Sequence, residues 1–143
     1  MIHVRITKLD PRATIPEYKT PGAAAFDLAT IEDVIIPPRA QALLRTGLGF
    51  GIPQDHVLYI HSRSSLFQKH HLMMANSVGV IDSDYSGPND ELFLSVWNAS
   101  DEDVSIPAGT RISQGVILQR PQVQWVEADA SGTDRGGFGS TGH

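Results

Sequence analysis

The sequence has 143 residues, the size of one compact domain and too short for two. Hydrophobic residues at 41% and charged residues at 19% are ordinary globular usage and exclude a disordered chain. A net charge of -5 excludes a protein that coats a nucleic-acid polymer, and the absence of cysteine removes disulfide frameworks, thiolate metal sites and cysteine nucleophiles together.

The start, Met1 to Thr7, lacks the apolar core of a signal peptide, and no apolar run is long enough to span a bilayer, so a soluble cytoplasmic protein with no membrane partner is expected. The sequon Asn98-Ala99-Ser100 then arises by chance. Ile2, Val4 and Ile6 alternate with polar residues at the period of a half-buried strand. Pro21 to Leu28 is rich in small residues around one acid, Asp27, which indicates close backbone packing. Val34-Ile35-Ile36 and Ala42-Leu43-Leu44 predict short strands. Gly47-Leu48-Gly49-Phe50-Gly51 predicts a turn, because no helix-forming stretch follows to make it a dinucleotide loop.

Val57 to Ile60 predicts another strand. Ser64 to Leu72 is the one stretch without strand character and predicts a turn or two of helix, with Ser64 or Ser65 as its cap. Gly79-Val80-Ile81, Leu92 to Trp97 and Gly115 to Leu118 complete a series of short strands fenced by Gly, Pro, Asp and Asn. Dispersed glycine and proline, 13 and 9 residues, suit the many turns of an all-β sandwich or barrel. From about Gln119 the apolar pattern fades, and Ser131 to His143 is a Gly-rich tail around Phe138. That tail is either a frayed terminus or a segment that orders on a ligand, its Gly and Ser amides forming a nest for an anion.

Two segments carry chemistry. In Gly79 to Gly87 a strand delivers Asp82, Asp84 and Tyr85 into a tight turn; this is either an Asx turn or a carboxylate with a task, such as accepting a proton or positioning water. An EF-hand reading fails because Phe93 stands at the twelfth position. In His61 to Leu66, Arg63, Ser64 and Ser65 outline an anion site, although a serine cluster here also serves as a helix cap. His61, His70 and His71 lack zinc-type pairing, so they are assigned to the surface and no protein-ligated metal is assigned. A P-loop and a serine-esterase elbow are both absent.

Taken in order, Pro21 to Leu28, His61 to Leu66, Asn76 to Gly87, Gly109 to Ile117 and Arg135 to Gly142 resemble the five ordered motifs of the trimeric dUTPase family. The resemblance covers most of the chain. It implies a jelly-roll-like β fold over residues 1–143, with an arm from about residue 119 and a flexible tail, 131–143, closing the site. It implies a homotrimer with shared active sites that hydrolyses dUTP to dUMP and pyrophosphate with Mg2+. Asp82 would activate or orient the attacking water and bond the sugar 3′-hydroxyl. Tyr85 would pack on the deoxyribose and exclude a 2′-hydroxyl, while Asn76, Gly79, Val80 and Ile81 would read uracil through main-chain groups. Arg63, Ser64, Ser65 and Gln114 would hold the phosphates, Asp27 would support waters around magnesium, Arg135 would reach the terminal phosphate, and Phe138, beside Gly139, would stack on uracil.

Three features depart from that pattern. Pro88-Asn89-Asp90-Glu91 lengthens the loop after Gly87, Arg135 directly precedes Gly136-Gly137-Phe138 without the usual spacer, and Ala25 and Phe26 replace the commoner Gly and Tyr. The rival activity, dCTP deaminase, needs a glutamate where this chain has Ser95; a dUTPase-like nucleotide-binding regulator is the second alternative.

Overall fold

The computed structural model describes residues 1–137, and among them the chain is almost entirely antiparallel β. The strands are β1 (Arg5–Lys8), β2 (Phe26–Ala29), β3 (Val34–Ile36), β4 (Gln41–Arg45), β5 (Leu48–Gly51), β6 (His56–Ser62), β7 (Leu72–Met74), β8 (Gly79–Ile81), β9 (Phe93–Asn98), β10 (Val104–Ile106) and β11 (Arg111–Gln119), with one helix, α1 (Leu66–His70). Strand β2 pairs with β11, β3 with β10 and β4 with β9. These are the nested rungs of one long hairpin rolled on itself, which is the pairing of a jelly roll. Strand β11 also pairs with β6, and β6 with β8, giving a four-stranded sheet in the order β2-β11-β6-β8. A three-stranded sheet, β4-β9-β7, lies elsewhere in the fold.

The alternation seen in sequence becomes burial. In β9, Leu94 and Val96 are wholly buried while Phe93 and Trp97 face outward, and Leu58 and Ile60 of β6 join Leu28, Ile36, Leu44 and Ile112 in a continuous core. Such packing of inward side chains from nested strands is the main source of cohesion, at roughly 25 cal/mol per Å² of apolar surface removed from water.

Several expectations need correction. Gly47 does turn the chain, with a φ of 67° that glycine accepts readily, but residues 48–51 run on as β5 beside β1 rather than forming a turn. Strand β1 begins at Arg5, later than the alternation from Ile2 indicates. Strands β2, β7 and β10 are too short or too polar to stand out by period, and they are held by their partners rather than by propensity. Helix α1 falls within the expected stretch with Ser65 at its N-cap, but the Ser65 hydroxyl makes no capping bond.

Polar residues tie the turns. Asn98, fully buried, donates to the carbonyls of Ile36 (2.9 Å), Pro37 (3.0 Å) and Glu102 (2.7 Å), and its Oδ1 accepts from the Ser100 amide and hydroxyl. The sequon asparagine is therefore a structural clamp with no accessible nitrogen. At the other end of the fold the Arg12 side chain and amide hold the Asp10 carboxyl well below the usual carboxylate range. Because the folded-state value is depressed, this contact contributes above the unfolded carboxylate pKa and is lost as pH falls toward the depressed value.

Asn98→Ala removes a fully buried amide that ties the carbonyls of Ile36, Pro37 and Glu102 to the Ser100 turn and should lower stability by roughly 3 kcal/mol, read as a fall in the urea midpoint with an unchanged slope. A midpoint equal to that of the parent chain would show the clamp to be redundant.

Candidate active site

The site is built on the sheet β2-β11-β6-β8, because its central strand, β11, is flanked on one side by Asp27 and on the other by the end of β6. Gln114 of β11 lies opposite Asp27 of β2 and His61 of β6. A bulge between Arg111 and Ser113 inserts an extra residue into β11, and such bulges re-aim side chains. Arg111 turns toward Asp27 as a result. The Asp27 carboxylate accepts Arg63 Nε at 2.8 Å on one oxygen and Arg111 Nη1 at 2.9 Å on the other. One carboxylate thus fixes two guanidiniums, and one positive charge is left over for an anion.

Gln114 Nε2 donates to the Ser62 carbonyl at 3.0 Å, which keeps its other N–H free and settles its orientation beside Arg63. Arg63 and Ser64 open into a cleft of about 600 Å³ that also takes in Ser62, Phe67, Met73 and Ser77. The Ser65 hydroxyl sits at the start of α1 and makes no capping bond.

The third motif follows a different line. Among the described residues, strand β8 is the edge of the sheet, paired with β6 on one side and unpaired on the other, so its outer main-chain groups remain available. Gly79 packs tightly there, since an added Cβ would lie 3.0 Å from Cβ of Ile60. Asn76 sits in the turn before β8, where its carbonyl accepts the Val78 amide at 2.7 Å, and Val80 and Ile81 follow on the strand. Asp82 leaves the strand exposed and lines a cleft of about 460 Å³ with Val57, Tyr59, Val80, Asp84 and Arg120. Tyr85 stands on the same turn, its amide bonded to the Asp82 carbonyl at 3.2 Å and its hydroxyl donating to the Glu91 carbonyl at 2.9 Å.

Asp82 and Arg63 do not meet within one chain. Ile81 lies opposite Leu58 in the β6–β8 ladder, so Asp82 falls opposite Val57, six residues along β6 from Arg63. At about 3.3 Å per residue this is roughly 20 Å. Arg135 is exposed and makes no side-chain bond among the described residues, while Phe138 and Gly139 lie outside them. Ser95, on β9, belongs to the other sheet and accepts the Gln41 amide at 2.9 Å. Arg111 falls inside the fourth motif, where the sequence marks a guanidinium at a strand start without a partner, and the structure pairs it with Asp27. Arg120, which lines the cleft of Asp82, lies outside every motif, and an arginine at a strand end carries no sequence signal of that role.

Magnesium suits this donor set only through water. Each Asp27 oxygen already accepts one guanidinium N–H and retains a lone pair for a water, and among the described residues no three His, Asp or Glu side chains cluster as a metal site.

A carboxylate-anchored arginine pair, free hydroxyls and a separate aspartate-tyrosine turn define an anion-binding jelly-roll protein. The chain belongs to the dUTPase family, whose sequence pattern matches residues 11–142. A deoxyuridine 5′-triphosphate nucleotidohydrolase of Nautilia profundicola is 44% identical over 142 residues, with 97% of this chain and 98% of that protein covered. The crystal structure of dUTPase from Streptococcus mutans, 34% identical, matches with a TM-score of 0.77 over 84% of this chain and 98% of its own. A Staphylococcus bacteriophage 80alpha dUTPase with dUPNHPP, 26% identical, reaches 0.83 over 99% of each chain.

Gly115→Ala tests the local architecture, because its Cβ would fall 2.5 Å from the Phe26 ring next to Asp27. The substitution should lower both the melting temperature and phosphate-analogue binding; a parent-like Tm would mean that the ring moves aside freely.

Proposed function

We propose that the chain is a dUTP diphosphatase that hydrolyses dUTP to dUMP and pyrophosphate by attack of water on the α-phosphate. The observation that carries this reading is the arginine pair on Asp27, which offers a fixed cationic seat to a triphosphate on a fold whose relatives are dUTP nucleotidohydrolases. Phosphoryl transfer asks mainly for positioning and charge neutralisation. Arg63, Ser64, Ser65 and Gln114 hold the phosphates. Asp82 accepts hydrogen bonds from the attacking water and from the sugar 3′-hydroxyl. Tyr85 packs on the deoxyribose where a 2′-hydroxyl would stand, and the free edge of β8 from Gly79 to Ile81, with Asn76, reads uracil. Arg135 reaches the terminal phosphate, and Phe138, with Gly139 beside it at the substrate, stacks on the base. The protein functions as one unit over residues 1–143, with 119–143 as its arm, in the cytoplasm. Magnesium, when bound through waters near Asp27, neutralises and orients the triphosphate oxygens.

The separation of roughly 20 Å between Asp82 and Arg63 supports a homotrimer in which one subunit supplies the aspartate and tyrosine and a neighbour the arginines. No helix among the described residues is long and apolar enough to cross a membrane. The deaminase reading gains nothing from the site, because Ser95 is in another sheet and carries no acid.

Two experiments test this function. With magnesium, dUTP should release pyrophosphate and no ammonia, while dCTP, dTTP and UTP at equal concentration should release far less; ammonia from dCTP would install the deaminase reading. Asp82→Asn and Arg63→Ala should each lose at least a hundredfold in kcat/KM. Unfolding and refolding the two variants together should restore part of the rate, since mixed trimers contain intact sites. Mixtures no more active than the separate variants would place the whole site within one subunit.

A further inference from the structure

The lengthened loop after Gly87 ends in a buried, fully bonded acid. Glu91 is only 8% exposed, and its carboxylate accepts Arg45 Nε (3.1 and 3.2 Å), Arg45 Nη2 (2.9 Å) and the Gly47 amide (2.8 Å). Arg45 is held in turn by Glu32 at 3.1 Å and Asp10 at 3.6 Å. Leu92 is fixed next to it, its amide donating to the Leu48 carbonyl and its carbonyl accepting the Thr46 hydroxyl. The loop itself is closed by Asp90, whose carboxylate accepts the Gly87 amide at 2.6 Å. The link from this assembly back to the site is the Glu91 carbonyl, which receives the Tyr85 hydroxyl.

We infer that Glu91 is a positioning residue for Tyr85, so that the Glu91–Arg45 pair sets the tilt of the phenol ring and with it the discrimination between deoxyribose and ribose. This rests on the reading of Tyr85 as the group that packs on the sugar. A half-exposed tyrosine on a turn has two soft torsions, and excluding one hydroxyl from a sugar demands a ring held to within a fraction of an ångström. Its amide bond to Asp82 fixes one end of the side chain and the Glu91 carbonyl fixes the other. That carbonyl is stationary because both its own side chain and the next residue are bonded to the turn and start of β5. The loop residues Pro88 to Glu91 thereby form a strut between the core and the sugar pocket.

The test is kcat and KM for dUTP and UTP with the parent chain, Tyr85→Phe, Glu91→Gln, the double variant and Tyr85→Ala, with thermal melts alongside. Tyr85→Phe keeps the ring and removes the bond; it and Glu91→Gln should each reduce the dUTP/UTP ratio of kcat/KM about fivefold, chiefly through KM, and the double variant should go no lower. A merely structural role for Glu91 would depress both substrates alike and leave the ratio standing. An unchanged ratio in Tyr85→Phe, or additive losses in the double variant, would overturn the proposal; should Glu91→Gln fail to fold, Tyr85→Phe decides alone. If Tyr85→Ala also leaves the ratio unchanged, the sugar-packing reading falls as well, whereas a ratio lost only in Tyr85→Ala removes Glu91 and keeps that reading.

Discussion

The antiparallel pairing of β6 with β8 governs the design of this protein. Two strands that run in opposite directions place whatever follows each of them at opposite ends of the ladder, and here Arg63 follows β6 while Asp82 follows β8. No rotamer change closes a gap of roughly 20 Å, which is many times the reach of a side chain adjustment. The arginine pair on Asp27 and the Asp82 turn are separate on one subunit, and the proposed trimer is the arrangement that lets one triphosphate touch both.

Rigidity is supplied by different means at the two ends. Around Asp27 it is ionic, with both carboxylate oxygens occupied by arginines and a glutamine braced on the Ser62 carbonyl. Around Tyr85 it is a chain of hydrogen bonds that runs through a main-chain carbonyl into the Glu91–Arg45 pair. One guanidinium contacting three acids, with the Glu91 carboxylate buried beneath it, fixes the geometry of this corner.

The parts of this structure legible in sequence are those written in short-range patterns. Alternation in Val57 to Ile60 and in Leu92 to Trp97 marks the central strands β6 and β9, since one face of each is buried. The serine run before α1 and the Asp82 to Tyr85 turn stand out because polar groups at strand ends need partners or tasks. What the pattern hides is long-range. Leu48 to Gly51 becomes a strand because β1 lies beside it, and Arg111 reaches Asp27, 84 residues away, only through a bulge. Glu91, read along the chain as part of an acidic loop, is in fact buried by Arg45, a contact across 46 residues that nothing local announces. Asn98 likewise looks like a modification signal until its five hydrogen bonds are counted.

The arginine pair on Asp27 has one more effect, on how an anion arrives. The chain as a whole carries -5 and repels a triphosphate, whereas two guanidiniums against one carboxylate make a local patch of opposite sign. Because both guanidiniums are tethered before any ligand comes, little side-chain freedom remains to be lost on binding, and the attraction acts over about one Debye length, near 8 Å in physiological salt. Encounter with the nucleotide is thus funnelled to one spot on an otherwise unwelcoming surface, and its rate becomes a function of ionic strength.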